Sequence, residues 1–308
     1  MQRRWKMGFR EKLRNRQEKV ESFLCIGLDP VPQKLPHHFR PNFLDLISYF
    51  SSEMIDAEII VEWMKEIIDA TAPYVCMYKL NRAHYEAIPF GEIALRAIVD
   101  YLKEKYPEIP TILDCKRGDI GRTQARYRIA HFELDRGDGI TFNPYMGFDC
   151  IQALVNEKTK DKGVVGLCYT SNPSAREIQD AKLIDGRYLW EYVAQKILEW
   201  SQKLGITENT GLVMAAAYES PKGSGKIFSW HLKRARQIVE DKLWFLISGI
   251  GAQGGLVKET VEAAYVGPGS IAINSSSAII FASDKDDFAE AAAKKAKELR
   301  DEINQYLP

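Results

Sequence analysis

The feature that most constrains the fold is a set of eight short apolar runs that alternate with longer amphipathic segments along the chain. The runs are continuously apolar, which is typical of strands buried on both faces, as in a parallel sheet. They are predicted at 22–29, 74–80, 111 to the turn at 118, 139–143, 163–170, 210–216, 243–248 and 269–274. Eight such strands separated by helices predict an α/β protein with a (β/α)8 TIM-barrel fold.

Helices are predicted between these strands, because apolar residues recur there at helical spacing. Their approximate ranges are 42–71, 91–105, 119 or 121 to 136, 147–157, 187–204, 226–240 and 255–265. An N-terminal helical extension is predicted within residues 1–21 and a closing helix at 285–306, so that residues 1–308 form a single barrel domain. A doubly wound open sheet is the alternative, but its glycine-rich segment is expected near the first strand, whereas here the glycines follow the seventh.

Charge and composition restrict the class of partner and the compartment. Lys+Arg and Asp+Glu both number 42, so no overall field favours nucleic acid or an acidic membrane surface. No apolar run reaches the roughly 20 residues of a membrane span, and no apolar region of a secretion signal follows the basic N-terminus. The five cysteines and five histidines lack metal-type spacing. We therefore expect reduced core cysteines, surface or helix-face histidines, no metal and a cytoplasmic protein.

Charged residues gather where the predicted strands end, which is where barrels of this kind carry their active sites. Asp29, Lys79, Asp114 and Lys116 alternate in sign, which predicts a network that keeps each group ionised. Asp114 and Lys116 are two residues apart on a strand and should project from the same face. Asp119 adds another acid just beyond the turn. A structural ion pair is the alternative interpretation of any single Asp-x-Lys, but the concentration of charge at one rim favours a site.

The loops after the seventh and eighth strands predict a phosphate site. Residues 249–255 are rich in glycine and residues 274–277 are hydroxyl-rich, so backbone N–H groups and hydroxyls are available to bind a dianion. Gly251, Ser276 and Ser277 are the candidate contacts. Glycines for tight turns and serines for capping are the alternative, but the presence of both loops favours phosphate.

Several segments together resemble the orotidine 5′-phosphate decarboxylase family, in its longer bacterial-type subgroup. The resemblance covers nearly the whole chain, and its carriers are 24–30 (LCIGLDP), 112–120 (ILDCKRGDI), 143–147 (NPYMG), 170–173 (TSNP) and 249–255 (GIGAQGG). The family converts orotidine monophosphate to uridine monophosphate (UMP) and carbon dioxide, the last step of de novo pyrimidine synthesis. It uses no metal or cofactor and works as a homodimer in which each site is completed by the partner. The resemblance implies the same for this chain.

The resemblance also implies roles for residues at the reacting centre. Lys116 would deliver a proton to C6 of the pyrimidine as carbon dioxide leaves, and Asp114 would lie against the substrate carboxylate. Asp29 would bind the ribose 3′-hydroxyl, with Lys79 beside it.

Further roles concern the rest of the nucleotide and the second subunit. Ser171 would hydrogen-bond the pyrimidine, and Gln253 would contact the phosphate. Asp119, Ile120 and Thr123 would reach across from the other subunit, Asp119 toward the ribose and the lysine network.

The sequence departs from the family pattern at Ser277, where the family usually has an arginine that pairs with the phosphate. The site is therefore either weakened but active, or compensated by hydroxyls and N–H groups with help from Arg82 or Arg122, or altered in function; we favour an active decarboxylase. Two alternative functions follow: a related magnesium-dependent decarboxylase of a sugar-phosphate keto acid, and a catalytically weakened nucleotide-binding barrel.

Overall fold

The computed structural model describes residues 7–39, 52–221, 223–251 and 255–308. The strands among these residues are, in chain order, β1 (Leu24–Gly27), β2 (Met77–Asn81), β3 (Thr111–Arg117), β4 (Gly139–Phe142), β5 (Gly163–Tyr169), β6 (Thr210–Ala215), β7 (Ala217–Glu219), β8 (Ile227–Phe228), β9 (Trp244–Ser248), β10 (Gly255–Leu256) and β11 (Ile271–Ser275).

Eight of these strands close into a barrel in the order β1-β2-β3-β4-β5-β6-β9-β11. Every pairing between neighbours is parallel, and β1 pairs with both β2 and β11, which closes the ring. The carboxyl ends of all eight strands therefore point to the same end of the barrel. The predicted (β/α)8 fold is confirmed.

Helices cover the outside of the barrel. The α-helices of the described residues are Phe9–Val20, Ser52–Thr71, Arg82–Glu86, Gly91–Lys105, Gly121–Arg128, Phe148–Gln152, Arg176–Gln179, Leu189–Leu204, Trp230–Val239, Val257–Ala264, Ser277–Ile280 and Phe288–Gln305. In this part of the chain no helix is long and apolar enough to cross a membrane. Residues 42–51 of the predicted helix 42–71 lie outside the described residues.

Three predicted helices differ from those observed. The helix predicted at 147–157 covers only Phe148–Gln152. The segment predicted as one helix from 119 or 121 to 136 is an α-helix at Gly121–Arg128 that continues as a π-helix over Ile129–Leu134. The helix predicted at 226–240 begins only at Trp230, because Ile227 and Phe228 form β8. β8 pairs antiparallel with β7, which also pairs with β10, so these strands form a small sheet beside the barrel. Its two- and three-residue strands are too short to leave a periodic signal in the sequence.

The N-terminal helix closes the amino-terminal end of the barrel. Phe9 packs within the barrel cluster and stacks on Trp244, with 5.3 Å between ring centroids. The Gln17 amide donates to the Ile271 carbonyl (2.7 Å) and accepts from the Gly269 N–H (2.6 Å). The helix thus fills the barrel with apolar groups at this end and satisfies backbone groups beside β11.

We expect Phe9→Ala to lower the free energy of unfolding by about 3–5 kcal/mol, because the truncation leaves a cavity in a closed core. Urea unfolding followed by circular dichroism measures the change. The matched control is Ile93→Ala on an exposed helix face, which should stay within about 0.5 kcal/mol of the parent. A loss below about 1 kcal/mol for Phe9→Ala would contradict the role of the helix as the closure of the barrel.

Candidate active site

A cavity of about 380 Å³ opens at the carboxyl ends of the barrel strands. Its wall contains apolar side chains from β5, β6 and β9, and its polar lining includes Lys79, Asp114, Lys116, Ser171, Ser248 and Asn274. These polar groups come from the ends of β2, β3, β9 and β11 and from the loop after β5. The parallel closure of the barrel is what gathers residues so distant in sequence.

Four charged side chains form a chain of contacts, and three of them, Lys79, Asp114 and Lys116, line this cavity. The Lys79 ammonium lies 3.7 Å from Asp29 Oδ2 and 3.4 Å from Asp114 Oδ2. The other oxygen of Asp114, Oδ1, accepts a hydrogen bond from Lys116 Nζ at 2.8 Å. Each charge thus has only opposite charges as its neighbours in the chain, which runs Asp29, Lys79, Asp114, Lys116.

Burial and neighbouring charges shift the pKa values of Lys79 and Asp114 in opposite directions. Burial alone would lower the pKa of Lys79, whose side chain is 6% exposed, but Asp29 and Asp114 outweigh it and raise that pKa above its ordinary value. Burial alone would raise the pKa of Asp114, but Lys79 and Lys116 lower it to about 2. Both groups are therefore ionised at neutral pH.

The backbone at Lys116 is unusual. Its φ is +47°, in the left-handed region, and the register of β3 against β4 shifts between Leu113 and Arg117, which marks a β-bulge. Simple alternation along a strand therefore does not explain why Lys116 meets Asp114, contrary to the sequence argument. The bulge re-aims the lysine instead, as bulges next to active sites do.

Thr141 on β4 connects Lys116 and Asp114. Its hydroxyl accepts from the Lys116 N–H (2.9 Å) and donates to Asp114 Oδ1 (2.8 Å). Sequence reasoning missed this residue, because a threonine inside an apolar strand looks like an ordinary β-former.

The loop after β5 brings Ser171 into the cavity. The Ser171 and Ser248 hydroxyl oxygens are 3.5 Å apart. The Gln179 amide accepts from the Thr170 N–H (2.9 Å) and donates to the Thr170 hydroxyl (2.8 Å), so it closes the loop that presents Ser171. Gln179 was also missed, since its partner lies nine residues away across an irregular segment.

The candidate phosphate residues lie around the ends of β9 and β11. Gly251 has φ +86°, a conformation that favours glycine, and a Cβ there would come within 3.4 Å of Ala278. Ser277 is the first residue of the helix Ser277–Ile280, and the Ser276 hydroxyl donates to the Gly27 carbonyl at 3.0 Å. Gln253 lies outside the described residues. At the base of this glycine loop, the Gly255 N–H donates to the Gly249 carbonyl at 3.0 Å.

Some predicted site residues are not among those that line this cavity; they are Asp29, Gly251, Ser276 and Ser277, and three residues that follow β3. Asp119 accepts a hydrogen bond from the Ile120 N–H (2.7 Å) just before the helix Gly121–Arg128. The Ile120 side chain is 43% exposed, and Thr123 is exposed on that helix. These residues are accessible from outside the subunit.

The structure refines two sequence expectations. The histidines were expected at the surface or on helix faces, and His131 and His231 lie on helices but are buried, because each finds a hydrogen-bond acceptor in the interior: Asp135 for His131 and the Ala215 carbonyl for His231. Arg82 was a candidate partner for phosphate, but its guanidinium already binds a different set of carboxylates, from Glu86, Glu92 and Asp135.

The closed parallel barrel carries its chain of paired charges at the carboxyl ends of the strands, where barrels of this fold have their active sites. The chain is therefore a member of the class of (β/α)8-barrel enzymes. The family model described as "Orotidine 5'-phosphate decarboxylase / HUMPS family" matches residues 22–293. The chain belongs to this family.

Individual relatives agree with the family assignment. The chain is 39% identical over 302 residues to the orotidine 5′-phosphate decarboxylase of Janthinobacterium sp. (strain Marseille), covering 98% of this chain and 100% of that protein. It resembles the solved Leishmania donovani OMP decarboxylase with TM-score 0.74 and 30% identity over 97% of this chain and 99% of that one. The Leishmania donovani UMP synthase has TM-score 0.75 and 31% identity; the match covers 97% of this chain but spans only 56% of the synthase.

We expect Asp114→Asn to lower the free energy of unfolding by about 3 kcal/mol at neutral pH, because two lysines lose their shared carboxylate. The folded pKa of Asp114 lies below the ordinary 3.8, so its stabilisation is present above that value and is lost as the pH falls through about 2. The difference between variant and parent should therefore be constant from about pH 8 to about pH 5 in urea unfolding. Asp119→Asn is the control and should change stability by less than about 1 kcal/mol. A difference that shrinks already above about pH 5 would contradict the depressed pKa.

Proposed function

We propose that this chain decarboxylates orotidine 5′-phosphate to UMP in the last step of pyrimidine nucleotide synthesis. The observation that carries the proposal is the chain of contacts from Asp29 through Lys79 and Asp114 to Lys116 along a cavity at the barrel rim. The names of the relatives support the same substrate.

The proposed reaction breaks the bond between C6 of the pyrimidine and the carboxylate carbon. Carbon dioxide leaves, the electron pair stays on C6, and a proton from Lys116 Nζ replaces the lost group. Negative charge develops on C6 next to a preorganised ammonium, which stabilises the transition state electrostatically. Lys116 regains its proton from water after the product has left.

Asp114 holds this ammonium in position through a hydrogen bond of 2.8 Å, and Lys79 balances the charge of Asp114. This balance matters because a lone carboxylate at 13% exposure would be costly. The same carboxylate faces the substrate carboxyl group in the proposed complex. The ribose hydroxyls would be bound by Asp29 and Lys79, and the pyrimidine by Ser171.

The phosphate would be held by Gly251, Gln253, Ser276 and Ser277, mainly through backbone N–H groups and hydroxyls. This proposal rests on the left-handed turn at Gly251 and on the position of Ser277 at the start of a helix turn beside it. Because phosphate lies far from C6, its binding energy serves orientation of the substrate and not the bond-breaking step itself.

We also propose a cytoplasmic homodimer that uses no metal or cofactor and whose sites are shared between subunits. Asp119, Ile120 and Thr123 would enter the partner's cavity; the exposure of Ile120 and Thr123 supports this arrangement. Exposed Tyr145 and Met146 in the loop after β4 extend the apolar surface available to a partner. Five unpaired cysteines suit a reducing compartment.

We expect Lys116→Ala to abolish turnover, measured as the loss of orotidine monophosphate absorbance, while UMP binding by calorimetry changes by less than about tenfold. The reason is that the lysine stabilises charge present only in the transition state. If parent and variant are equally inactive yet bind nucleotide, the chain is a nucleotide-binding barrel. Turnover of a keto-acid sugar phosphate that a chelator inhibits would identify the magnesium-dependent alternative.

The shared site makes a separate prediction. Lys116→Ala and Asp119→Ala homodimers should each be nearly inactive, but mixed and re-associated subunits should recover about a quarter of the parental activity. Half of the dimers are then mixed, and each mixed dimer has one intact site. The control mixes Lys116→Ala with Asp114→Ala subunits. Both substitutions lie in the cavity of their own subunit, so no site in the mixed dimer is intact and no activity should be recovered. Recovery in the control, or none in the test mixture, would contradict a site shared in this way.

A further inference from the structure

We propose that Arg117 is a positioning residue for Lys116, and that it acts through a buried network with His131 and Asp135. The inference rests on the proposed function, because it assigns a role in aiming the proposed proton donor. Arg117 does not line the cavity, so it acts on the reaction only through its neighbour in the chain.

Lys116 needs an anchor besides Asp114, because the contact between its ammonium and that carboxylate does not fix its backbone. Its side chain is 48% exposed, and its backbone adopts φ +47° within a bulge, a conformation that persists only when the surroundings enforce it. Thr141 fixes the N–H on one side of the residue. On the other side the chain continues directly into Arg117.

Arg117 is fixed by both its backbone and its side chain. Its carbonyl accepts from the Asn143 N–H (2.8 Å), which resumes the pairing with β4 after the bulge. Its guanidinium donates to His131 Nε2 (3.1 Å) and to Glu86 Oε1 (2.8 Å) and lies over the Tyr127 ring, 4.6 Å from the centroid. These contacts hold the guanidinium in one orientation, so the backbone between it and Lys116 has little freedom.

His131 transmits this restraint to the interior. Since Nε2 accepts from Arg117, the imidazole is neutral and Nδ1 carries the hydrogen, which is donated to Asp135 Oδ2 at 2.9 Å. The ring is buried and stacks parallel to Tyr127. It lies in the π-helical turn Ile129–Leu134, an irregularity that is frequent at functional sites.

Asp135 is the fixed end of the network. It is fully buried and also binds Arg82 and Arg96. The network is balanced in charge, with Arg82, Arg96 and Arg117 against Glu86, Glu92 and Asp135. Arg82 directly follows β2, three residues after Lys79. One network therefore anchors the ends of both strands that supply a lysine to the cavity.

The test compares Arg117→Met with Arg96→Met. Both variants remove one guanidinium from the same network, but only Arg117 adjoins Lys116. We expect Arg117→Met to lower kcat about 10- to 100-fold with KM changed less than about threefold, since misplacement of a catalytic group by about 1 Å costs this much. Arg96→Met should keep kcat within about threefold of the parent although its melting temperature also falls. Equal losses of kcat in the two variants, or a change confined to KM, would overturn the proposal.

A second pair of variants tests the relay through His131. His131→Gln keeps an acceptor for Arg117, whereas His131→Leu does not, so the glutamine variant should retain at least about tenfold more kcat. Equal kcat in the two variants, at similar melting temperature, would remove His131 from the proposal.

Crystal structures of the parent and of Arg117→Met make the test independent of turnover. We expect φ at residue 116 to leave the left-handed region in the variant and the Lys116–Asp114 contact to be lost. An unchanged residue 116 would refute the inference whether or not the chain decarboxylates orotidine 5′-phosphate. An inactive parent whose variant shows the loss would instead refute the proposed function alone.

Discussion

A lysine ammonium buried between two carboxylates is the interaction on which the site depends. Lys79 lies within 4 Å of both Asp29 and Asp114 and is almost fully enclosed. Removing such charges from water is expensive, and the cost is recovered only when the partners are held in place by the surrounding structure. Three separate strand ends must therefore keep a fixed geometry. A closed barrel supplies this, because no strand can shift without disturbing both of its neighbours.

The two ends of the barrel have different tasks, and their chemistry differs accordingly. The amino-terminal end is filled by Phe9 and Leu13 of the first helix and is tied to backbone groups through Gln17. The carboxyl-terminal end keeps a polar cavity. Stability and reactivity are thus placed at opposite ends of the same strands, so that a costly arrangement of charges at one end is supported by tight packing at the other.

The sequence predicted the elements that depend on local pattern. The barrel strands are continuous apolar runs, and Asp29, Lys79, Asp114 and Lys116 follow from their place at strand ends. It did not predict how these residues meet. The bulge at Lys116 depends on pairing with β4, which no single segment encodes.

Residues that act through distant partners were also beyond sequence reasoning. Thr141 has the composition of an ordinary strand residue, and its role comes from neighbours on another strand. His131 was expected only as a surface or helix-face residue, because its partners, Arg117 and Asp135, can be recognised only once the chain has folded. The short β7 and β8 are stabilised by pairing with each other and with β10, not by local propensity.

The hydrogen bond from Gly255 to Gly249 gives the glycine segment after β9 a narrow neck. The strand before this segment, β9, belongs to the barrel, and the strand after it, β10, is paired with β7, so both flanking strands are fixed. The hydrogen bond and the two strand pairings therefore fix the separation of Gly249 and Gly255, the described residues from which this segment departs and to which it returns.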